Sequence, residues 1–190
     1  MHAFDYLSVL LSIVLGLGMT QLLSAVARWL ELRHEVKPYL PAAIWAAFLM
    51  IVLVQTWWAM FGMRNIPDWS FLQFCVVLAQ PVLLFLLTAL VLPGPQSQER
   101  DLEAFFIQHR TWFFGLLMAL LVVSVSKDLA LSGHLPATPN LIFHGVFFAG
   151  SVLALVSRRP AFQLLIALIA LILMGAYIAV LFADLAQPGA

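Results

Sequence analysis

Apolar residues run through this chain in long continuous blocks, and the polar residues that interrupt them gather in short turns. A helix needs about 20 mostly apolar residues to cross the hydrocarbon of a bilayer. Six stretches reach or approach that length, at about 4–30, 40–63, 69–92, 111–131, 141–156 and 161–183. The breaks at 33–38, 64–68, 93–95, 133–139 and 158–160 are rich in Pro, Gly and charge, which is the chemistry of turns. Barrel strands would alternate in polarity over about 10 residues, and these blocks do not alternate. The pattern predicts an all-α, polytopic membrane bundle of six transmembrane helices, forming one domain over 1–190.

One segment departs from the plain pattern. Between 98 and 110, Leu102, Phe105 and Phe106 share a helical face while Glu99, Arg100 and Glu103 lie largely elsewhere. Capped by Ser97, this stretch reads either as an amphipathic helix on the membrane surface, continuous or not with the fourth span, or as an elbow packed against the bundle.

Composition agrees with a lipid solvent. The chain is 64% hydrophobic and 9% charged, against about 25% charged in a soluble domain. Net charge is zero, so there is no basic excess for nucleic acid. Cys75 is the only cysteine, which excludes an intrachain disulfide and a multi-cysteine metal site. Ala25-Val26-Ala27 resembles a signal cleavage site, but Met1 to Asp5 carries no Lys or Arg. The first block is therefore read as a retained span.

The positive charges set an orientation. Arg28, Arg33, Lys37, Arg100, Arg110, Arg158 and Arg159 follow the odd-numbered spans, whereas Arg64 and Lys127 fall on the other side. Cytoplasmic loops carry the excess of Lys and Arg, so both termini are expected outside, and the expected location is a bacterial inner membrane. Tyr6, Trp57, Trp58 and Trp69 would form an outer aromatic belt, and Trp29, Tyr39, Trp45 and Trp112 an inner one.

Polar residues within the blocks are the candidate chemistry. Ser8, Ser12, Gly16, Thr20 and Ser24 form a period-four stripe of small residues that reads as a helix-packing seam, with Leu15 facing outward. Lys127 and Asp128, with Ser124 one turn earlier, lie near the end of the fourth span. Asp5 and Asp184 are expected at similar depth, so Lys127 either pairs with Asp184 or Asp5 or snorkels to the headgroups and leaves these acids at the interface. Gln21, Gln55 and Gln80 need partners away from water, and Pro81 removes the helical donor to the Val77 carbonyl, which predicts a kink. His144 with His134 is a poor haem pair. Met60, Met63, Cys75 and His144 could serve copper(I) only if three helices brought them together. No metal or other cofactor is expected.

Three function classes follow. The first is a structural or accessory membrane subunit working through helix packing, with a second copy or another membrane protein as partner. The second is a small transporter or channel with a polar path through Gln21, Gln55, Gln80 and Lys127. The third is a membrane redox or metal-binding protein. No P-loop, dinucleotide fingerprint or hydrolase motif is present, so an enzyme ranks last.

Overall fold

A computed structural model of the chain describes residues 3–66 and 68–181. It contains six α-helices and one short 3-10 turn: α1 (Ala3–Glu31), α2 (Leu40–Met60) running on into the 3-10 turn Phe61–Asn65, α3 (Phe71–Val91), α4 (Leu102–Ser132), α5 (Thr138–Val156) and α6 (Pro160–Leu181). Each helix is long and apolar enough to cross a membrane.

Local chemistry explains the helix ends. Pro41 occupies the first turn of α2, where its missing N–H costs nothing. Ser70 and Gln73 form a reciprocal capping box at the start of α3. Gly133 ends α4 with φ of 75°, a left-handed conformation that glycine adopts without strain. α3 continues through Pro81.

The helices pack in the order α1, α3, α4, α5, α6, a crescent of neighbours around α2. α2 touches α1, α3, α4 and α6. At its centre Trp45 is 2% exposed, with the rings of Phe48, Phe113 and Phe114 at 5.2, 5.4 and 5.4 Å. Tyr39 and Trp45 are therefore core residues rather than members of an interfacial belt, because the α2–α4 contact supplies aromatic partners that headgroups would not. Trp57, Trp112 and Tyr6 remain exposed.

The amphipathic segment at 98–110 is not a separate surface helix. Asp101 rather than Ser97 caps α4, accepting from the Ala104 N–H at 3.0 Å, and the helix then runs on for 31 residues. At about 1.5 Å per residue it outreaches the hydrocarbon. Leu102 and Phe106 are buried, Phe106 against Tyr39, so the apolar face meets protein instead of lipid.

A clasp holds this end of the bundle. Lys37 forms a parallel backbone bridge with Asp101, and its ammonium contacts Asp101 at 3.0 Å and Glu103 at 3.2 Å. Arg100 pairs with Glu35, and Arg28 donates to the Ser97 carbonyl at 3.0 Å. The Ala104 amide and the Lys37 ammonium hold the Asp101 carboxyl below its ordinary range. The hydrogen bonds that the Lys37 ammonium donates to Asp101 and Glu103 keep it protonated above its ordinary range. Asp101 thus supports the clasp above the ordinary aspartate range and ceases to as pH falls through its lowered value. Lys37 supports it until pH rises through its raised value.

Helix α1 packs through Leu7, Leu11, Leu15, Leu22 and Ala25, all buried. The neighbouring stripe of Ser8, Ser12, Gly16, Thr20 and Ser24 is not the seam within the chain. Gly16 and Thr20 are exposed, Ser8, Ser12 and Ser24 only partly buried, and Leu15 points inward at 1% exposed. Both stripes have helical spacing, and the larger side chains fill the groove that α2 and α3 present. The close approach occurs at Gly18, where an added Cβ would lie 3.2 Å from Leu53 Cδ2 and 3.7 Å from the Phe85 backbone. Nothing lies within 4 Å of such an atom at Gly16. Gly18→Leu should therefore destabilise the protomer by about 1–3 kcal/mol, and Gly16→Leu should change it by less than about 0.5 kcal/mol. Unfolding in mixed micelles checks this; equal losses would mean that the two faces are wrongly distinguished.

Candidate intramembrane polar site

Towards the other end of the bundle, five helices turn polar groups inward. α2 supplies Gln55 and Thr56, α3 Gln80, α4 Ser124, Lys127 and Asp128, α5 Asn140 and His144, and α6 Tyr177. The spacing 124, 127, 128 puts the α4 groups on one side of that helix. Gln80 lies nine residues into α3, about 14 Å along its axis, so the site is well inside the span.

The groups form two chains of hydrogen bonds. In the first, the Lys127 ammonium donates to Gln80 Oε1 at 3.1 Å, and Gln80 Nε2 donates to Thr56 Oγ1 at 3.4 Å. The lysine fixes which way the Gln80 amide points. Gln80 and Thr56 are both buried, so this chain links α4, α3 and α2 through the interior. Among the described residues Lys127 makes no ion pair.

The second chain joins α4, α5 and α6. His144 Nδ1 lies 2.9 Å from the Asn140 carbonyl oxygen. A carbonyl only accepts, so Nδ1 carries a proton. In the neutral ring Nε2 then accepts from the Ser124 hydroxyl, 3.0 Å away. Tyr177 donates to Asn140 Oδ1 at 3.1 Å, and Asn140 Nδ2 donates to Asp128 Oδ2 at 3.4 Å. The Ser124–His144 pair has a backbone carbonyl where a triad would place a carboxylate.

A cavity of about 60 Å³ lies between the chains, its polar lining made by Gln55, Gln80, Ser124, His144 and Tyr177. Phe48, Phe147 and Met174 form part of its apolar wall. One water needs roughly 10–15 Å³ by this kind of measure, and a cavity that takes benzene is about 150 Å³. The space is therefore of a size for a few waters. Gln55 borders it with an amide that has no hydrogen-bond partner among the described residues.

The remaining predicted residues lie elsewhere. Gln21 sits at the clasped end, its amide nitrogen 3.9 Å from where a Gly94 Cβ would be, and it does not join Gln55 and Gln80. Asp5 is exposed in the first turn of α1. Asp184 lies outside the described residues. Met60 and Met63 line a small recess with Lys127, Cys75 is exposed, and His144 lines the main cavity. The soft-ligand set is not gathered, and the described residues hold no group of three or more His, Cys, Asp or Glu suited to a metal. Thr56, Asn140 and Tyr177 were not singled out by the sequence reading. The available signal was Asn140 four residues before His144, and a lone tyrosine in an otherwise apolar run.

Comparison with protein-family models, with curated proteins and with solved structures finds no match for this chain.

Proposed function

We propose that this chain is a small multi-pass transporter of the bacterial inner membrane, with both termini outside, and that its polar cavity passes protons through a few bound waters. The orientation rests on Arg28, Arg33, Lys37, Arg100, Arg158 and Arg159 at the clasped end against Arg64 at the other, by the positive-inside rule. The proton reading rests above all on Gln55. An amide unpaired inside a span is costly, and here it borders a cavity of water size. Around the same interior stand two groups that can change protonation, His144 and Lys127, each tied to a side chain able to accept or donate in turn. Ionisable residues at such depth commonly mark proton or ion paths.

Reconstituted vesicles test it. With an imposed pH difference, a potassium-clamped potential and an internal pH dye, the wild-type chain should collapse the gradient. His144→Leu and Lys127→Met should each slow it by about tenfold or more, the scale of a lost proton-transfer group. Wild-type flux equal to that of protein-free vesicles would end the proposal.

A second reading, an accessory subunit acting through α1, is favoured by one observation. Ser8 and Ser12 line an open groove with Trp57, Trp58 and Phe61, and Gly16 beside it has free space. Small residues of this kind allow a second helix to approach closely. On this reading Gly16→Leu changes the assembled species in lipid while sparing the protomer.

A further inference from the structure

The turn between α5 and α6 is finished from inside. Arg110 of α4 is buried and donates through Nη1 to the carbonyls of Leu155 at 2.9 Å and Ser157 at 3.1 Å. Gln163 of α6, fully buried, donates to the carbonyls of Ala154 at 2.8 Å and Ser157 at 2.7 Å. The Arg159 carbonyl accepts from the amides of Phe162 and Gln163, and the Ser157 hydroxyl accepts from the Arg159 amide. The acceptors that end α5 are thus taken by side chains from the interior.

Arg158 and Arg159 sit on this rigid turn, both exposed. Neither guanidinium has a hydrogen bond or ion pair among the described residues. The nearest backbone acceptors are occupied, and at this end Glu35, Asp101 and Glu103 are engaged by Arg100 and Lys37. The guanidinium groups of these two consecutive residues present ten donors with no acceptor among the described residues. On the bundle side of the turn, Leu153 (56%), Val156 (80%) and Leu165 (54%) are exposed apolar residues on helices that cross the membrane. The pair therefore stands at the lipid edge, where acyl chains meet the apolar flank and headgroups meet the charges.

We propose that Arg158 and Arg159 form a binding site for the phosphate of an anionic glycerophospholipid, whose chains lie along α5 and α6. Guanidinium matches phosphate in a bidentate, charge-assisted geometry, and the hydrogen-bonded turn keeps the two arginines at one point on the edge of the bundle. A free phosphate would satisfy the guanidinium groups alone; the exposed leucine and valine flank favours the lipid.

The test uses the full chain in nanodiscs of phosphatidylcholine with or without phosphatidylglycerol. Native mass spectrometry counts the retained phosphatidylglycerol, and competition gives its apparent affinity. In Arg158→Gln/Arg159→Gln the affinity should fall roughly thirtyfold, from about fivefold per arginine at a membrane surface. Arg33→Gln, whose guanidinium donates to the Leu30 carbonyl, should leave it unchanged. Should the glutamine pair fold poorly, Arg158→Lys/Arg159→Lys keeps the charge and should still lose several-fold through the missing bidentate fork. Affinity unchanged in both double variants overturns the proposal. So does inorganic phosphate that displaces the lipid and raises thermal stability as much as the lipid does, since the site would then belong to a free anion.

Discussion

Replacing Trp45 by alanine is expected to destabilise the bundle by about 3 kcal/mol, the lower part of the range for burying and then deleting a large aromatic side chain. Three aromatic neighbours meet Trp45 edge-on, with interplanar angles of 81°, 68° and 77°. Their contact joins α2 to α4. The lower figure is chosen because lipid tails are as apolar as the core. Transfer from water then contributes little, and lost dispersion across the cavity dominates. Trp45→Phe is the informative companion. The indole N–H has no acceptor among the described residues, so phenylalanine removes an unsatisfied donor while keeping most of the ring contacts, and should cost less than about 1 kcal/mol. Unfolding by dodecyl sulfate in mixed micelles, followed by far-UV circular dichroism, measures both. A loss below 1 kcal/mol for Trp45→Ala would show that the aromatic cluster does not anchor α4.

Gln80→Leu is expected to cost about 3–5 kcal/mol, more than Lys127→Met. The asymmetry follows from what each change leaves behind. Without Gln80, the Lys127 amine must either hold its charge among apolar side chains with its acceptor gone or give up its proton, and both outcomes are costly. Without Lys127, the Gln80 carbonyl is a neutral acceptor short of one donor, worth about 1–3 kcal/mol. The double variant should lose at least 1 kcal/mol less than the sum of the single losses, because the residues are in contact. Additivity within about 0.5 kcal/mol would mean that Lys127 relies on something other than Gln80. The same variants bear on the proton proposal, since a path through this interior is interrupted in each of them.

The six spans were legible because membrane crossing is a one-dimensional property: a run of about 20 apolar residues is visible without knowing what it touches. Contacts between spans depend on rotation and tilt, which neighbours set. That is why α1 was turned by one face. Its small-residue and leucine stripes are adjacent and equally periodic, and only the shape of α2 and α3 chooses between them. The segment before the fourth span stays open between two readings for a related reason, since an amphipathic stretch looks alike whether its apolar face meets lipid or Tyr39. In the site, Gln55, Gln80, Ser124 and Lys127 stood out as polar residues in apolar runs. That Lys127 reaches an amide on α3 was not legible, because a charge in a span announces its need for a partner but not the partner's address. Tyr177 and Asn140 passed unremarked because each taken singly suits a membrane interface.

The clasp has an electrostatic consequence. At one end, Lys37, Arg28 and Arg100 tie the α1–α2 connection to the α3–α4 connection, and Arg110 ties α4 to the close of α5. At the opposite end, among the described residues, Gln73 of α3 reaches the Ala130 carbonyl of α4 at 2.9 Å, and Asn140 joins Asp128 of α4 to Tyr177 of α6. The clasped end is therefore held largely through exposed charges, which salt weakens, whereas the far end is held by hydrogen bonds between the spans, which salt screens much less.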